Sequence, residues 1–328
     1  MKKLIAIILA LALALSMTAC GAAAPAEKTD DGAYKVAIVQ QLDHSSLDEI
    51  REAIKAELTR LASEKNITIE IKEYNGQNDT TMLNQISTDA VADKVDMIIP
   101  IATLAAVSAV TATEGTEIPV VYAAISDPES AGLTGIPTVT GVSDALNTPF
   151  ILDMMLAAQP DVKTVGLLYS NSEVNSQTPI AEAKAYLDSK GIAYLEKTGN
   201  TAGEVVEAAA SMVGRVDAVF TPTDNAVMAA EASVAELLNA DKIPHYTGAD
   251  SFVTSGAFTT CGVNYTELGT KVGTMAFDIL QGGAIGDFQI MDGGIITVND
   301  DTAYACEIDY SVFNSMANTV NVVKTLTD

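Results

Sequence analysis

Short apolar runs alternate with longer amphipathic ones along most of this chain. Val36-Ala37-Ile38-Val39 is a β-rich run. Behind it, Leu47, Ile50, Ile54, Leu58 and Leu61 recur at helical spacing on one face. The segment from Ile67 to Tyr74 alternates with the period of a strand, and Met82, Leu83, Ile86, Ala90 and Val91 mark a second helix. Asp96 to Pro100 and Ile118 to Tyr122 predict the next two strands, with an Ala-rich helix between them.

The pattern then restarts. Lys163 to Tyr169 echoes Tyr34 to Gln40, Asp217 to Asp224 echoes Asp96 to Thr103, and Ile243 to Ala249 echoes Ile118 to Ala124. The echoes keep their order, so the body reads as two similar halves. Apolar strands alternating with helices predict parallel sheets covered on both faces. The fold class expected is therefore α/β, with two doubly wound parallel-sheet lobes facing each other across a cleft. Val139 to Asp144 and Gly256 to Tyr265 are expected as hinge strands. Leu268, Val272, Met275, Ala276 and Ile279 predict a helix that returns to the first lobe and ends at Gly282 and Gly283. A last crossing is expected between Tyr304 and Asp309. The first lobe would then comprise 33–145 and 264–298, the second 146–263 and 299–328.

The first twenty residues follow another rule. Lys2 and Lys3 precede an unbroken apolar run from Leu4 to Leu15, then Ser16-Met17-Thr18-Ala19-Cys20-Gly21. This is the layout of a secretory signal, residues 1–19. The run is too short for a permanent membrane span. Thr18-Ala19-Cys20 resembles a bacterial lipobox, with Met17 where Leu is usual, which implies lipidation at Cys20. Residues 20–32 lack apolar periodicity and read as a lipidated tether. The protein is thus expected outside the cytoplasm, lipid-anchored to a bacterial cell membrane.

Charge narrows the partners. The formal net charge is -25, and losing Lys2 and Lys3 takes it to -27. That balance opposes binding to nucleic acid or anionic lipid. Cys261 and Cys306 could pair in an oxidising compartment, but neither spacing nor nearby charge marks them as reactive, and two isolated buried thiols are expected. The two histidines, His44 and His245, lie far apart, and no CxxC, HxH or HExxH occurs, so neither a metal nor a cofactor is expected. Absence of GxSxG and SxxK argues against a hydrolase.

The order of segments identifies a family. Gln40 to His44, Ile101 to Ala106, Ala124 to Pro128, Val139 to Asp144, Tyr169 to Ser176, Thr223 to Asn225 and Gly262 to Tyr265 together resemble type I periplasmic-binding-protein-like lipoproteins of bacterial ABC importers. Within that group the chain is similar to the tryptophan-binding-protein-like branch; Leu104 and Pro222 depart from its local patterns. The resemblance implies a monomer that captures a small molecule, favouring an aromatic or apolar amino acid, and delivers it to an ABC permease. The same fold binding a nucleoside, sugar or other metabolite, or acting as a ligand-sensing lipoprotein, is the alternative.

Ligands of open α/β sheets bind beyond the carboxyl ends of the strands, where helix N-termini present N–H groups. The candidates there are Gln41, Asp43, His44, Thr103 and Ser126 in the first half. In the second they are Asn171, Asn175, Thr223, Asp224, Asn225 and Asp250. Thr103 and Ser126 offer hydroxyls at expected helix starts; such residues also serve as caps, and the resemblance favours a carboxylate. Asp127-Pro128 reads as a turn. Asp224 and Asp250 are the acids suited to a buried ligand ammonium, which needs a paired charge, and each equally suits a helix cap. His44 fits either a ligand contact or a structural role. Tyr122, Tyr169, Tyr246, Phe252 and Tyr265 are available as an apolar wall or as core. The chain has no tryptophan, which disfavours a sugar site built on indole stacking.

Overall fold

The structure, a computed structural model, describes residues 32–291 and 293–326. The signal segment, Cys20 and nearly all of the tether lie outside the described residues. From Tyr34 onward the expected alternation forms. The first half builds β1 (Tyr34–Gln40), α1 (Ser45–Lys65), β2 (Ile69–Asn75), α2 (Thr80–Ala92), β3 (Met97–Ile101), α3 (Thr103–Ala112), β4 (Val120–Ala123) and β5 (Val139–Ser143). The second builds α4 (Thr148–Ala158), β6 (Thr164–Tyr169), α5 (Gln177–Lys190), β7 (Ala193–Thr198), α6 (Ala202–Ala210), β8 (Ala218–Thr221), α7 (Asn225–Met228), α8 (Glu231–Ala240), β9 (His245–Thr247), α9 (Asp250–Thr254) and β10 (Thr259–Gly262). Then come α10 (Tyr265–Leu280), β11 (Gln289–Ile290), β12 (Ile295–Asn299), α11 (Asp300–Cys306) and β13 (Thr319–Val323).

Two sheets result. One runs β11-β5-β4-β3-β1-β2 and is parallel throughout. The other runs β13-β12-β10-β9-β8-β6-β7 and is parallel except where β12 meets β10. Strands β3, β4 and β8 are buried along their whole length, as strands covered on both faces must be.

Helix α10 does return to the first lobe, where it lies along α1. Two glycines permit the close approach. A Cβ on Gly269 would come within 2.6 Å of the Ile50 carbonyl oxygen, and one on Gly273 within 2.9 Å of Glu57 Cβ. Such residues cost helix propensity and are explained by packing.

Two expectations change. Ile295 to Val298, placed with the first lobe from sequence, belong to the second sheet, paired antiparallel with β10 through Thr259↔Val298. The segment from Tyr304 to Asp309 makes no crossing: it begins inside α11, with Tyr304 87% exposed. The third passage runs from β11 to β12. An alternating five-residue strand satisfies either sheet edge, so only its hydrogen-bond partner decides. The expected hinge strands β5 and β10 stay within their own sheets, and the chain changes lobe just after each.

Cys261 and Cys306 are both buried and free. Burial pushes both thiols up to about 11, which suppresses thiolate reactivity.

Candidate functional site between the lobes

The carboxyl ends of both sheets face one another across a narrow cleft that leaves a cavity of only about 30 Å3. The lobes touch directly around it. Gln41 Nε2 donates to Glu173 Oε1 at 2.9 Å, His44 Nε2 lies 3.2 Å from Asn225 Oδ1, and Ser126 Oγ lies 2.8 Å from Thr223 Oγ1. Further out, Ser46 Oγ donates to Asp250 at 3.2 Å and Thr178 Oγ1 to Asp127 at 2.6 Å. This is a closed arrangement.

From the first lobe, His44, Thr103 and Ser126 line the cleft as expected. Thr103 opens the ten-residue α3, whose N-cap is Ala102. An alanine has no side-chain acceptor, so no side-chain cap forms from that position; Gln41 Oε1 instead accepts from Leu104 N at 3.0 Å. Ala102 (φ 73°) and Ala124 (φ 57°) both adopt left-handed backbone at the cleft wall. Left-handed backbone costs non-glycine residues free energy and concentrates at functional sites. Ser126 does not start a helix. It sits in a loop, and its hydroxyl donates to Asp144 at 3.0 Å. Asp127 is a turn residue, accepting from Ser130 N at 2.9 Å.

From the second lobe, Asn175, Thr223, Asp224 and Asn225 line the cleft. Asp224 is committed to its own lobe. One oxygen caps α7 by accepting from Val227 N at 3.0 Å; the other accepts from Ser170 N and Ser176 Oγ, each at 2.7 Å. The capping role, rather than a free ammonium ligand, is what this geometry serves. Burial pushes its carboxyl above the usual range.

Other candidates fall outside the cleft lining. Gln41 is buried behind it as a lobe-to-lobe contact. Asp43 is exposed beside Arg51, at 3.7 Å, because the chain turns outward just before α1. Asn171 is exposed and donates to Thr198 Oγ1 at 3.1 Å. Asp250 is the first residue of α9, and its carboxyl lines a neighbouring small cavity with Glu49 and Tyr265. Among the aromatics, Phe252 and Tyr265 reach the cleft. Tyr122 and Tyr246 are core, and Tyr169 donates to Glu196.

Sequence reasoning missed Asp144. It follows β5 directly, the same carboxyl-end position as the other candidates, but was read as part of a hinge. Its carboxyl accepts from Ser126 and faces Tyr265 OH at 3.4 Å. Among the described residues no cation contributes to its environment, and burial raises its pKa. Ser251, Met228 and Leu47 were also missed as lining residues.

Among the described residues, eight buried side-chain polar atoms lack a hydrogen-bond partner. Three belong to residues lining this cleft: His44 Nδ1, Asn175 Oδ1 and Ser251 Oγ. Orphaned buried polar atoms are rare and costly unless a ligand or water meets them. Burial also lowers the pKa of His44, against a smaller opposing effect of the Asn225 contact and of Asp48 and Asp43, so the imidazole is neutral near pH 7. Among the described residues no cluster suited to a metal ion occurs, and no helix is long and apolar enough to cross a membrane.

Comparison with known proteins is consistent throughout. A tyrosine-binding protein from Clostridioides difficile (strain R20291) is 32% identical over 322 residues, 94% of this chain and 93% of that protein. An ABC domain from Streptococcus pneumonia in complex with L-Trp matches with a TM-score of 0.82 at 29% identity, over 88% of this chain and 99% of that one. A ligand-free, open substrate-binding protein with adhesive properties from Clostridium difficile matches with a TM-score of 0.67 at 32% identity, over 89% and 100%. The better superposition on the ligand-bound protein, at no greater identity, fits the closed lobes: a change of hinge angle degrades a whole-chain match. The model of the ABC transporter substrate binding protein family matches residues 35–315, and with two facing α/β sheets around a closed cleft, the chain belongs to that family.

Proposed function

We propose that the cleft holds an aromatic amino acid as its zwitterion. The observation that carries this reading is the set of unpaired buried polar atoms of His44, Asn175 and Ser251 around a cleft that also holds Asp144, an acid without a cation. A ligand ammonium would pair with Asp144 and Asn175 Oδ1. A ligand carboxylate would sit at the start of α3, near Thr103, with the N–H groups and dipole of that helix. Phe252, Met228 and Leu47 supply apolar surface for the side chain. The ligands of the two relatives, tyrosine and L-Trp, support the same class.

Ligand bridging both lobes would favour the closed form through contacts unavailable in the open one. The closed form would be what an ABC permease recognises, completing an import cycle. Lipidation at Cys20 would hold the monomer outside the membrane, and Cys20→Ser should release it into the soluble fraction.

The chain has no tryptophan, so excitation at the red edge of indole absorption reads an added indole ligand directly. Titration of ligand-stripped protein into L-tryptophan should raise its fluorescence anisotropy. Calorimetry should show L-tyrosine competing for the same site. No binding of either, together with tight binding of a nucleoside or sugar, would overturn the amino-acid reading.

A further inference from the structure

Glu173 is fully buried on the cleft side of the second lobe, and among the described residues no cation contributes to its environment. Three amides act on its carboxyl, those of Gln41, Asn225 and Asn175. Gln41 Nε2, from the first lobe, lies 2.9 Å from Oε1, and Asn225 Nδ2 lies 2.8 Å from Oε2. The other end of the Asn225 amide, Oδ1, lies 3.2 Å from His44 Nε2. The opposite nitrogen of that ring, Nδ1, is the one without a partner.

The orientation of this chain follows from one fixed point. A backbone N–H can only donate, so Leu104 N, at 3.0 Å, pins the Gln41 oxygen toward itself and its nitrogen toward Glu173. Gln41 Nε2 also reaches Asn78 Oδ1 at 2.8 Å, which occupies its second hydrogen. Oε1 of Glu173 must therefore accept. What Oε2 does is then decided by the proton inventory of Glu173. An ionised carboxyl accepts from Asn225 Nδ2, which turns Asn225 Oδ1 toward His44 and requires the ring proton on Nε2. A protonated carboxyl donates through Oε2, which reverses the Asn225 amide and moves the ring proton to Nδ1.

We infer that Glu173 is a positioning residue that sets, through Asn225, which nitrogen of His44 carries the proton, and so whether the cleft meets its ligand there with an acceptor or a donor. The groups packed around it are few. Asp224 opposes its ionisation, while Asn225, Asn175 and Gln41 favour it. His44 at the far end is kept neutral by burial. Burial and Asp224 together push Glu173 up to about 8, which puts the exchange within reach of ordinary buffers. With Glu173 ionised, His44 Nδ1 accepts an N–H or O–H of the ligand, a consequence that rests on the amino-acid reading.

The relay crosses the cleft, so the test needs closed protein without ligand. Ser126 and Thr223 place their hydroxyl oxygens 2.8 Å apart; the double variant Ser126→Cys, Thr223→Cys would lock the lobes with a disulfide. The protein has two histidines, and His245, held between Glu231 and Thr221, is an internal reference for 15N-histidine NMR. In the locked protein the His44 proton should move from Nδ1 to Nε2 as pH rises through about 8. Glu173→Gln must keep its oxygen toward Gln41 and so present N–H2 to Asn225; His44 should then stay Nδ1-protonated at every pH. With Asn225→Ala added, Glu173→Gln should no longer move the His44 signal. A tautomer that ignores both pH and Glu173→Gln in folded, locked protein overturns the relay. In the unlocked protein above pH 8, Glu173→Gln should weaken L-tyrosine binding by about ten- to hundredfold, the usual worth of a hydrogen bond to a charged group. A responsive tautomer in protein that binds no amino acid upholds the relay and overturns the ligand reading instead.

Discussion

The two lobes repeat one architecture and use it oppositely at the cleft. Thr103 and Asp224 occupy matching places in the two halves, each just past a buried strand. In the second lobe, Asp224 satisfies its own helix and two further donors from Ser170 and Ser176. In the first, the matching helix begins at a strained alanine with no cap from its own N-cap side chain. Ala124 and Ala249 also match: the former is left-handed, the latter extended with φ −144°. The second lobe commits Asp224 internally but leaves Asn175 Oδ1 and Ser251 Oγ unpaired at the cleft. The other leaves a helix start open toward the cleft. A repeated fold thus makes a polar, asymmetric site, suited to a ligand with one positive and one negative end.

This contrast can be broken at its acids. Asp144→Ala should have the largest effect on binding. Removing one partner of a buried ion pair costs about 3–5 kcal/mol, roughly two to four orders of magnitude in Kd. Asp224→Ala should instead lower the melting temperature with a smaller change in Kd, because its bonds lie within one lobe. Calorimetry and thermal melts on both variants check the division; equal losses of affinity would show that Asp224 also meets the ligand.

The next effect is that of pH. Burial in the closed form raises Glu173 from 4.5 to about 8, so the closed form binds that proton more tightly than an open or unfolded chain. The associated stability is fully present below about 4.5 and is lost as pH rises through about 8. The locked Ser126→Cys, Thr223→Cys protein should therefore melt at progressively lower temperature across that window. Glu173→Gln should flatten the dependence. A locked protein equally stable on both sides of the window would mean that other groups control it.

The smallest effect separates rim from cleft. Asp250→Ala removes an acceptor for Ser46 outside the cleft lining and should cost about 1 kcal/mol of affinity. Asp43→Ala, at an exposed position, should leave Kd unchanged. A loss from Asp250→Ala as large as that from Asp144→Ala would move the ammonium to α9.

Much of this was readable before folding. Strand periodicity, helical spacing and the ordered echoes of one half in the other are local properties, and they predicted the two doubly wound lobes and the loops that meet. His44, Thr103, Ser126, Asn175, Thr223, Asp224 and Asn225 line the cleft, and their position beyond a parallel strand made them candidates. Asp43 and Asn171 have the same sequence position but point outward, since adjacent loop residues diverge and no local pattern says which turns in.

What the sequence determined by itself was the alternation, the duplication and the list of loops. The tertiary structure decided which acid is free. Asp224 is consumed by donors that lie 54 and 48 positions away in Ser170 and Ser176, whereas Asp144 lines the cleft beside Tyr265, which the return of α10 brings to it. It also decided that β12 pairs with β10 rather than with the first sheet. Capping and periodicity depend on neighbours within a few residues, whereas the fate of a carboxylate at a cleft depends on donors supplied by other elements and by the angle at which two lobes close.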